Sequence, residues 1–294
     1  MLLDIQVEVF DGPDHSPLIQ ILTLVAKDRH EWRPSPAAAV RATSFVASLD
    51  KASLRVPVLK LWAQKEAEAA ADRGRSKAAA PATGRPVVRI TPETVTAMAE
   101  DLGKPAVLVV ENRIGDGGFV RAVAAALQDE RVVRALRKRW LKFCHAGGTG
   151  QMAELAVDEC GDFNLVVRVA MLIDSDRNSP GQPSGNERKV DRARAGGVSH
   201  VHMFTWRMVE NYVPYRVWER HFATTKADKI RELRSWPPAT RGYRHLKTHF
   251  VGDRKMPSPL MPEGMRLTEA DFDELGPGVV TELRQVLAMI HMIL

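Results

Sequence analysis

Three acidic residues follow two apolar stretches of the sequence, and residues of this type can support metal-dependent chemistry. Residues 106–110 run directly into Glu111, and the run that ends at residue 173 is followed by Asp174 and Asp176. Short apolar runs bounded by polar residues are typical of buried strands. Because residues i and i+2 of an extended chain point the same way, we expect Asp174 and Asp176 to face one point.

These carboxylates are expected to meet at one edge of a sheet. In open α/β sheets, sites form outside the carboxyl ends of the strands, so Glu111 would join the two aspartates from a neighbouring strand. Clustered oxygen ligands suit Mg²⁺ or Mn²⁺. Such an ion polarises a phosphodiester and lowers the pKa of a bound water, while Glu111 would bind metal or act as general acid/base. An Asp-x-Asp pair is, however, also a common turn former after a strand.

Four apolar segments predict the strands of this sheet, and amphipathic patterns between them predict helices. The expected strands cover residues 106–110, 141–146, 163–173 and 201–206. Strands that alternate with helices favour parallel pairing. The predicted fold class is therefore α/β, with a mostly parallel four-stranded sheet flanked by helices.

Composition divides the chain into four expected parts. Residues 1–65 form an N-terminal α+β region without a catalytic motif. Residues 66–88 form a linker, whose first half extends a helix and whose second half is rich in Gly, Ser and Pro. Residues 89–215 form the catalytic domain, and residues 216–294 form a helical C-terminal region with proline breaks.

The bulk composition indicates a basic globular protein. The chain has 294 residues and a net charge of +6, which favours a polyanionic partner over an acidic protein. Two cysteines make no disulfide framework, so a reducing, cytoplasmic location is expected. We find no signal-peptide pattern and no run of about 18 apolar residues, so no membrane association is expected.

Several residues near the predicted site have two interpretations. Gly147 and Gly148 make a tight turn into a helix, and their backbone amides would also suit a phosphate. Asp116 either caps the helix that follows it or takes part in catalysis. Glu210 either binds metal or pairs with Arg207 across one helical turn, and a structural role near the site is favoured.

Basic residues after the aspartates predict contacts with phosphates. Arg177 directly follows the Asp-x-Asp pair, and a basic segment follows the next loop. Lysines and arginines in such positions neutralise the phosphates of nucleic acid. The expected nucleic-acid-binding residues are Arg177, Arg188, Lys189, Arg192 and Arg194.

The order of these motifs resembles a Toprim domain, the catalytic fold of topoisomerases, bacterial primases and OLD-like nucleases. The resemblance covers about residues 105–215 and is carried by Val109-Val-Glu111 with Asp116, then Ala146-Gly-Gly, then Leu172-Ile-Asp-Ser-Asp176. The segment Glu210-Asn-Tyr-Val resembles a signature of stand-alone Toprim proteins of bacterial anti-phage systems. The chain departs from the usual pattern at Asn112, which replaces a glycine, and has one inserted residue before Asp116.

The resemblance implies a metal-dependent endonuclease that acts in bacterial defence on DNA or tRNA. It implies that Glu111 is the general acid/base and metal ligand, that Asp174 and Asp176 bind Mg²⁺, and that Asp116 belongs to the catalytic set. A homodimer and an ATPase sensor subunit are the expected protein partners. The sequence has no phosphate-binding loop of the Gly-x-x-x-x-Gly-Lys-Ser/Thr type, so ATP hydrolysis of that type would come from a partner. The alternatives are a non-catalytic nucleic-acid-binding accessory subunit, or a primase-like or topoisomerase-like enzyme.

Overall fold

Parallel strands joined by helices make up the described chain. The computed structural model describes residues 1–51, 57–75, 87–222, 224–252, 256–262 and 264–294. These residues form two compact units, one of residues 1–105, 163–167 and 294, and one of residues 106–162 and 168–293. Each unit contains one parallel sheet, so the predicted α/β class is confirmed.

The first unit contains a three-stranded sheet with strand order β2-β1-β3. Its elements are β1 Leu2–Ile5, α1 Ser16–Ala26, β2 Glu31–Trp32, α2 Pro36–Lys51, α3 Pro57–Arg75, β3 Val87–Ile90 and α4 Val95–Gly103. All of its pairings are parallel, so this unit is α/β rather than the α+β region that the sequence predicted. The difference arises because β1 pairs with β3, a strand from beyond the expected linker.

The predicted boundaries therefore differ from the observed compact units. Residues 66–75 of the predicted linker belong to helix α3, as its first half predicted, and residues 87–88 belong to β3. Residues 76–86 lie outside the described residues. Residues 89–105 pack with the first unit, whereas the helices after residue 215 pack with the second.

The second unit contains the four-stranded sheet that the sequence predicted. Its strands are β4 Ala106–Val110, β5 Leu141–His145, β6 Val169–Ile173 and β7 His200–Met203. Its helices are α5 Gly115–Ala126, α6 Glu130–Arg137, α7 Met152–Cys160, α8 Glu187–Ala195, α9 Tyr215–Phe222, α10 Ala227–Ser235, α11 Pro238–Arg241, α12 Leu246–Val251, α13 Glu269–Asp273 and α14 Val279–Ile293. The helical C-terminal region is thereby confirmed for the described residues.

The strand order β5-β4-β6-β7 creates a reversal between β4 and β6. The chain moves from β4 to β5 on one side and then returns to place β6 on the other side of β4. All three pairings are parallel, so every strand ends at the same edge of the sheet. Ligands of open α/β sheets bind in the crevice at such a reversal.

The two central strands are apolar along their whole length because both of their faces are covered. Every residue of β4 and of β6 is buried, whereas β5 and β7 at the sheet edges are partly exposed. Continuous Val, Leu and Ile runs are expected for strands that have neighbours on both faces. No helix among the described residues is long and apolar enough to cross a membrane.

The strand predicted over residues 163–173 is shorter than expected. Strand β6 begins at Val169, and residues 163–167 belong to the first unit. There the backbone N–H groups of Asn164, Leu165 and Val166 donate to the Asp101 carboxylate at 2.7–3.1 Å. These hydrogen bonds replace strand pairing, so the apolar residues at this position do not extend the sheet.

A buried hydrogen-bond network holds the turn that follows β7. The Tyr212 hydroxyl donates to Glu282 Oε2 at 2.5 Å and accepts from the Trp206 backbone N–H at 2.8 Å. Its ring packs against Phe204, Trp206 and Phe119. Tyr212 therefore ties the 3₁₀ turn Val209–Tyr212 to helix α14.

We predict that Tyr212→Phe lowers the free energy of unfolding by about 1–3 kcal/mol, because it leaves the buried Trp206 N–H and Glu282 oxygen unpaired. Urea unfolding followed by fluorescence measures the change. Tyr243→Phe is the control, since the Tyr243 hydroxyl makes no hydrogen bond among the described residues. A Tyr212 variant as stable as the Tyr243 variant would contradict the role of the network.

Candidate functional site

Glu111 and Asp174 lie at the carboxyl ends of neighbouring central strands. Glu111 follows β4, and Asp174 follows β6. The register pairs Val109 with Met171, which brings the two strand ends to nearly the same level. Glu111 and Asp174 therefore both lie at the reversal of strand order.

A cleft of about 470 Å³ opens at this position. Among the residues that the structure describes, four carboxylates line it together with one lysine, and a segment after α12 forms a further part of its wall. The lining acids are Glu111, Asp116, Asp174 and Glu210, the lysine is Lys247, and the wall segment contributes Met256, Pro257, Ser258 and Leu260. Such a concave pocket with converging polar groups is the usual form of a binding site.

Asp116 belongs to the cleft and does not cap its helix through the N-terminal position. It lies in the first turn of α5, and its Oδ2 accepts from the Asn112 backbone N–H at 2.9 Å. The N-cap position of α5 is Ile114, and it makes no side-chain capping bond. In the turn before the helix, Asn112 Oδ1 accepts from the N–H groups of Ile114 and Gly115 at 2.8 and 3.0 Å. Asn112 therefore orders the entry into α5, while Asp116 lines the cleft.

Glu210 and Lys247 form an ion pair within the cleft. Lys247 Nζ lies 3.3 Å from Glu210 Oε1. Glu210 is 6% exposed, and its Oε2 has no hydrogen-bond partner among the described residues. Its partner is therefore Lys247 of α12 rather than Arg207, and its carboxylate faces the site instead of serving only to shape it.

Burial, with a further contribution from neighbouring negative charges, raises the pKa values of three acids in the cleft. Burial raises the pKa of Asp116 to about 7, and the negative charges of Glu210 and Glu111 add to that rise. Burial also raises the pKa of Asp174 well above its usual value, with contributions from Glu210, Asp116 and Glu111. The pKa of Glu111 is raised by burial and by nearby carboxylates, against an opposing effect of Lys247.

Lys247 responds in the opposite direction, as a cation among carboxylates should. Burial alone would lower its pKa, but Glu210, Asp174 and Glu111 favour the charged form and raise it. Lys247 is therefore a positive charge within the cleft. Clusters of groups with shifted pKa values are characteristic of functional sites.

Asp176 lies outside the cleft lining, unlike Asp174. Strand β6 ends at Ile173, and Asp176 adopts a left-handed backbone with φ of 53°. Its exposed carboxylate accepts from Asn186 Nδ2 at 2.9 Å. The alternation of an extended strand therefore does not aim the two aspartates at one point, although the charge of Asp176 still raises the pKa of Glu111.

The residues predicted to bind nucleic acid are only partly free. Arg177 pairs with Glu187 at 3.4 Å, and Arg192 pairs with Glu154. Lys189 donates to Thr149 Oγ1 at 2.9 Å and to Asn186 Oδ1 at 2.6 Å, which fixes it beside the Gly147-Gly148 turn. Arg188 and Arg194 are exposed on α8.

Gly147 and Gly148 follow β5 and do not line the acidic cleft. Both have left-handed φ values, 69° and 139°, which glycine adopts without strain. They line a neighbouring cavity that shares Glu111 and Asn112 with the cleft. The predicted tight turn before a helix is therefore present, with α7 following a short 3₁₀ turn.

The cleft is not a preformed metal shell. Within the parts of the chain that the structure describes, no three His, Cys, Asp or Glu side chains are grouped closely enough to share a metal ion. The donor set nevertheless consists of carboxylates, which suit hard divalent cations, and includes the unpartnered Glu210 Oε2. Binding of an ion by Glu111, Asp174 and Glu210 would require their side chains to move.

Two members of the cleft were missed or undervalued by sequence reasoning. Lys247 is one of many basic residues in the C-terminal region, and no local spacing distinguishes it from the others. Glu210 has a local signal in the Glu210-Asn-Tyr-Val segment, but only the docking of the turn Val209–Tyr212 directs its carboxylate into the cleft.

Comparison with family models, curated proteins and solved structures gave no significant match to this chain.

We predict that Asp116→Asn stabilises the metal-free protein at about pH 8 by on the order of 1 kcal/mol. The folded-state pKa of Asp116 is about 7, above the ordinary value of 3.8, so its stabilising contribution is full below about pH 4 and is lost as the pH rises through 7. Asparagine removes this titration and retains an acceptor for the Asn112 N–H. Urea unfolding with EDTA at about pH 4 and about pH 8 should show the gain in stability only at the higher pH. Equal gains at the two pH values would contradict the prediction.

We predict that Lys247→Met destabilises the metal-free protein by on the order of 1 kcal/mol at about pH 8, and by less at about pH 5. Methionine retains an apolar stem but leaves the ionised carboxylates without their counter-charge. The effect falls at low pH because protonation of the acids with raised pKa values reduces the repulsion. Thermal unfolding with EDTA at both pH values tests this, with exposed Lys138→Met as control; a pH-independent change would argue against the electrostatic explanation.

Proposed function

We propose that this protein is a metal-dependent nuclease that hydrolyses phosphodiester bonds of nucleic acid. The observation that carries the proposal is the convergence of Glu111, Asp116, Asp174 and Glu210 on one cleft at the strand-order reversal. Among the described lining residues, the four acids outnumber the one lysine, so their negative charge is not fully compensated within the cleft. A divalent cation would compensate this charge, and phosphodiester hydrolysis uses such cations.

Glu111 is the proposed general acid/base. It lies directly after β4, so the rigid centre of the sheet holds its position. Its pKa is raised by burial and by Asp176 and Glu210. A carboxyl group with a pKa nearer to neutrality takes up and releases protons more effectively at physiological pH than one with an ordinary value.

The proposed metal ligands are Glu111, Asp174 and Glu210, with Asp116 and Asp176 as further acids near the ion. When bound, Mg²⁺ or Mn²⁺ would supply charge stabilisation at the phosphate and a more acidic water. Asp174 is held for this role because its Oδ1 accepts from the Val209 N–H at 2.9 Å, which leaves Oδ2 for a ligand. The lysine that neutralises part of the cluster lets an anionic substrate approach the carboxylates.

The proposed family and setting rest on the motif order. Glu111, Asp116, the Gly147-Gly148 turn and the Asp174–Asp176 pair follow one another as in Toprim domains, and the parallel sheet with order β5-β4-β6-β7 is compatible with that resemblance. We accordingly propose a Toprim-type endonuclease of a bacterial defence system, which acts on DNA or tRNA in the cytoplasm with an ATPase sensor subunit.

A second function is favoured by one observation. The described side chains do not form a ready metal shell, and Lys247 already pairs with Glu210. A nucleic-acid-binding accessory subunit, whose charge cluster is neutralised internally and performs no hydrolysis, would have such an arrangement. The basic helix α8, with Arg188 and Arg194 exposed, would serve binding in either case.

We predict that the purified protein cuts plasmid DNA or total tRNA with Mg²⁺ or Mn²⁺ and not with EDTA, and that Glu111→Gln lowers the rate at least about 100-fold. The glutamine removes proton exchange while it keeps nearly the same volume. Gel assays over time give the rates for both substrates. Asp191→Asn is the matched control, because Asp191 is an exposed acid of α8 that is not among the residues lining the cleft.

Binding measurements separate the two functions. A nuclease should lose cutting but retain binding in the Glu111 variant, since nucleic acid is bound mainly through basic residues. An accessory subunit should bind without cutting under every metal condition. Nucleic-acid binding together with complete absence of cutting, for the wild type with either ion, would refute the hydrolytic proposal in favour of the accessory function.

A further inference from the structure

A second cavity adjoins the acidic cleft on the other side of β4. It has a volume of about 510 Å³ and lies where β4 and β5 end, whereas the cleft lies where β4 and β6 end. Glu111 and Asn112 line both spaces. The other residues that line this cavity are Arg113, Ile114, His145, Gly147 and Gly148. The two cavities are thus neighbours along one sheet edge, with a shared wall.

The second cavity offers donors where the cleft offers carboxylates. The Arg113 guanidinium and the His145 ring are exposed and have no ion pair among the described residues. The backbone N–H groups of Gly147 and Gly148 have no acceptor in the described part of the chain. A Cβ at either glycine would meet nothing within 4 Å, so no packed side chain covers these amides. This set of donors suits an anion.

An apolar side chain lies among these donors. Ile114 is 55% exposed, although the chain buries most of its large aliphatic side chains. The donors would suit a phosphate, and an exposed aliphatic group beside them would suit the sugar or base attached to it. The cavity therefore has the two kinds of surface that a nucleotide unit of a strand presents.

We propose that this cavity binds the phosphate next to the scissile one, so that a nucleic-acid strand crosses the end of β4 at Glu111. In this arrangement one phosphate of the strand lies at the carboxylate cleft and its neighbour lies against Arg113, His145 and the two glycine amides. The inference rests on the proposed function, and it specifies how the substrate is held. It also assigns a role to Arg113, which the motif pattern did not single out.

The separation of charge supports this direction of binding. Without a metal, the described lining of the cleft offers a phosphate mainly acidic side chains, so the anionic strand needs a site beside the cleft that attracts it without a cation. Lys189 reinforces the cavity side, since its ammonium group is fixed to Thr149, directly after the glycine pair. Binding of the strand would therefore depend on the second cavity even when the cleft contains no metal.

We test the cavity by binding in EDTA, where cutting does not interfere. A short fluorescein-labelled oligodeoxythymidylate is titrated with the full chain, and fluorescence anisotropy is measured over a series of salt concentrations. Arg113→Gln and His145→Gln should each weaken binding several-fold. Loss of one phosphate contact should also reduce the slope of log K against log salt by roughly 0.7 for a single strand.

Arg137→Gln is the matched control. Arg137 is an exposed arginine at the end of α6, before β5 begins, and so lies at the sheet edge opposite to the site. It should leave both affinity and salt slope unchanged if the contact at Arg113 is specific. Equal effects of the Arg113 and Arg137 variants, or absence of binding by the wild type, would overturn the proposal.

A second measurement locates the strand. In an Ile114→Cys variant, the rate of reaction with a maleimide should fall several-fold when the oligonucleotide is added, because the strand covers this position. An unchanged rate at saturating oligonucleotide would count against the cavity. If the protein cuts nucleic acid but Arg113→Gln does not change binding, this inference is refuted and the nuclease proposal stands. If binding depends on Arg113 but no cutting occurs, the nuclease proposal is refuted and the binding site stands.

Discussion

Repulsion among carboxylates at one edge of a parallel sheet is the constraint on which the site depends. Glu111, Asp116, Asp174 and Glu210 share a cleft in which Lys247 is the one cation among the described lining residues. Glu210 has a buried carboxylate oxygen without a hydrogen-bond partner in the described part of the chain, and such an oxygen destabilises a fold by an amount comparable to a lost hydrogen bond. A fold retains such an arrangement when the rest of the structure is stable enough to offset it, and functional sites are where this commonly occurs.

The stability that offsets this repulsion is provided on both sides of the cleft. On one side, β4 and β6 are fully buried and hold Glu111 and Asp174. On the other side, the Asn211 Nδ2 group donates to the carbonyls of Arg241 and Arg244 at 2.8 and 3.0 Å, and Arg241 Nη1 donates back to the Asn211 carbonyl at 2.8 Å. These reciprocal bonds join the turn that carries Glu210 to the segment that leads to Lys247. The ion pair is therefore set by a buried polar network.

Local rules of strand formation were sufficient to predict one half of this site. The four strands of the second unit are short apolar runs bounded by polar residues, and the rule that sites form at strand ends then identifies Glu111 and Asp174. The rule failed where the backbone is not in the extended strand conformation. At the end of β6, strand alternation stops at Ile173 and does not apply to Asp176. Before β6, the Asp101 carboxylate binds the backbone that would otherwise have extended the strand.

The other half of the site depends on tertiary docking, which leaves no local pattern. Lys247 and the wall segment from Met256 to Leu260 reach the cleft because the C-terminal helices pack against the same unit as the four-stranded sheet. Likewise, β3 joins the first sheet from beyond a stretch that has the composition of a linker. In each case the deciding interaction connects residues that are far apart in the sequence, so periodicity and spacing carry no information about it.

The combined charges of the two neighbouring cavities restrict the kind of ligand that fits them. The cleft by itself would accept any cation, including an amine of a peptide or polyamine, because its acids outnumber its lysine. The adjoining cavity has Arg113, His145 and two glycine amides that lack an acceptor among the described residues, so it would repel such a ligand and attract an anion. A ligand that satisfies both must bring positive charge to one side of Glu111 and negative charge to the other. The proposed substrate, a phosphodiester strand with a divalent cation at one phosphate, would meet this requirement, whereas a cationic peptide or a free metal ion would not.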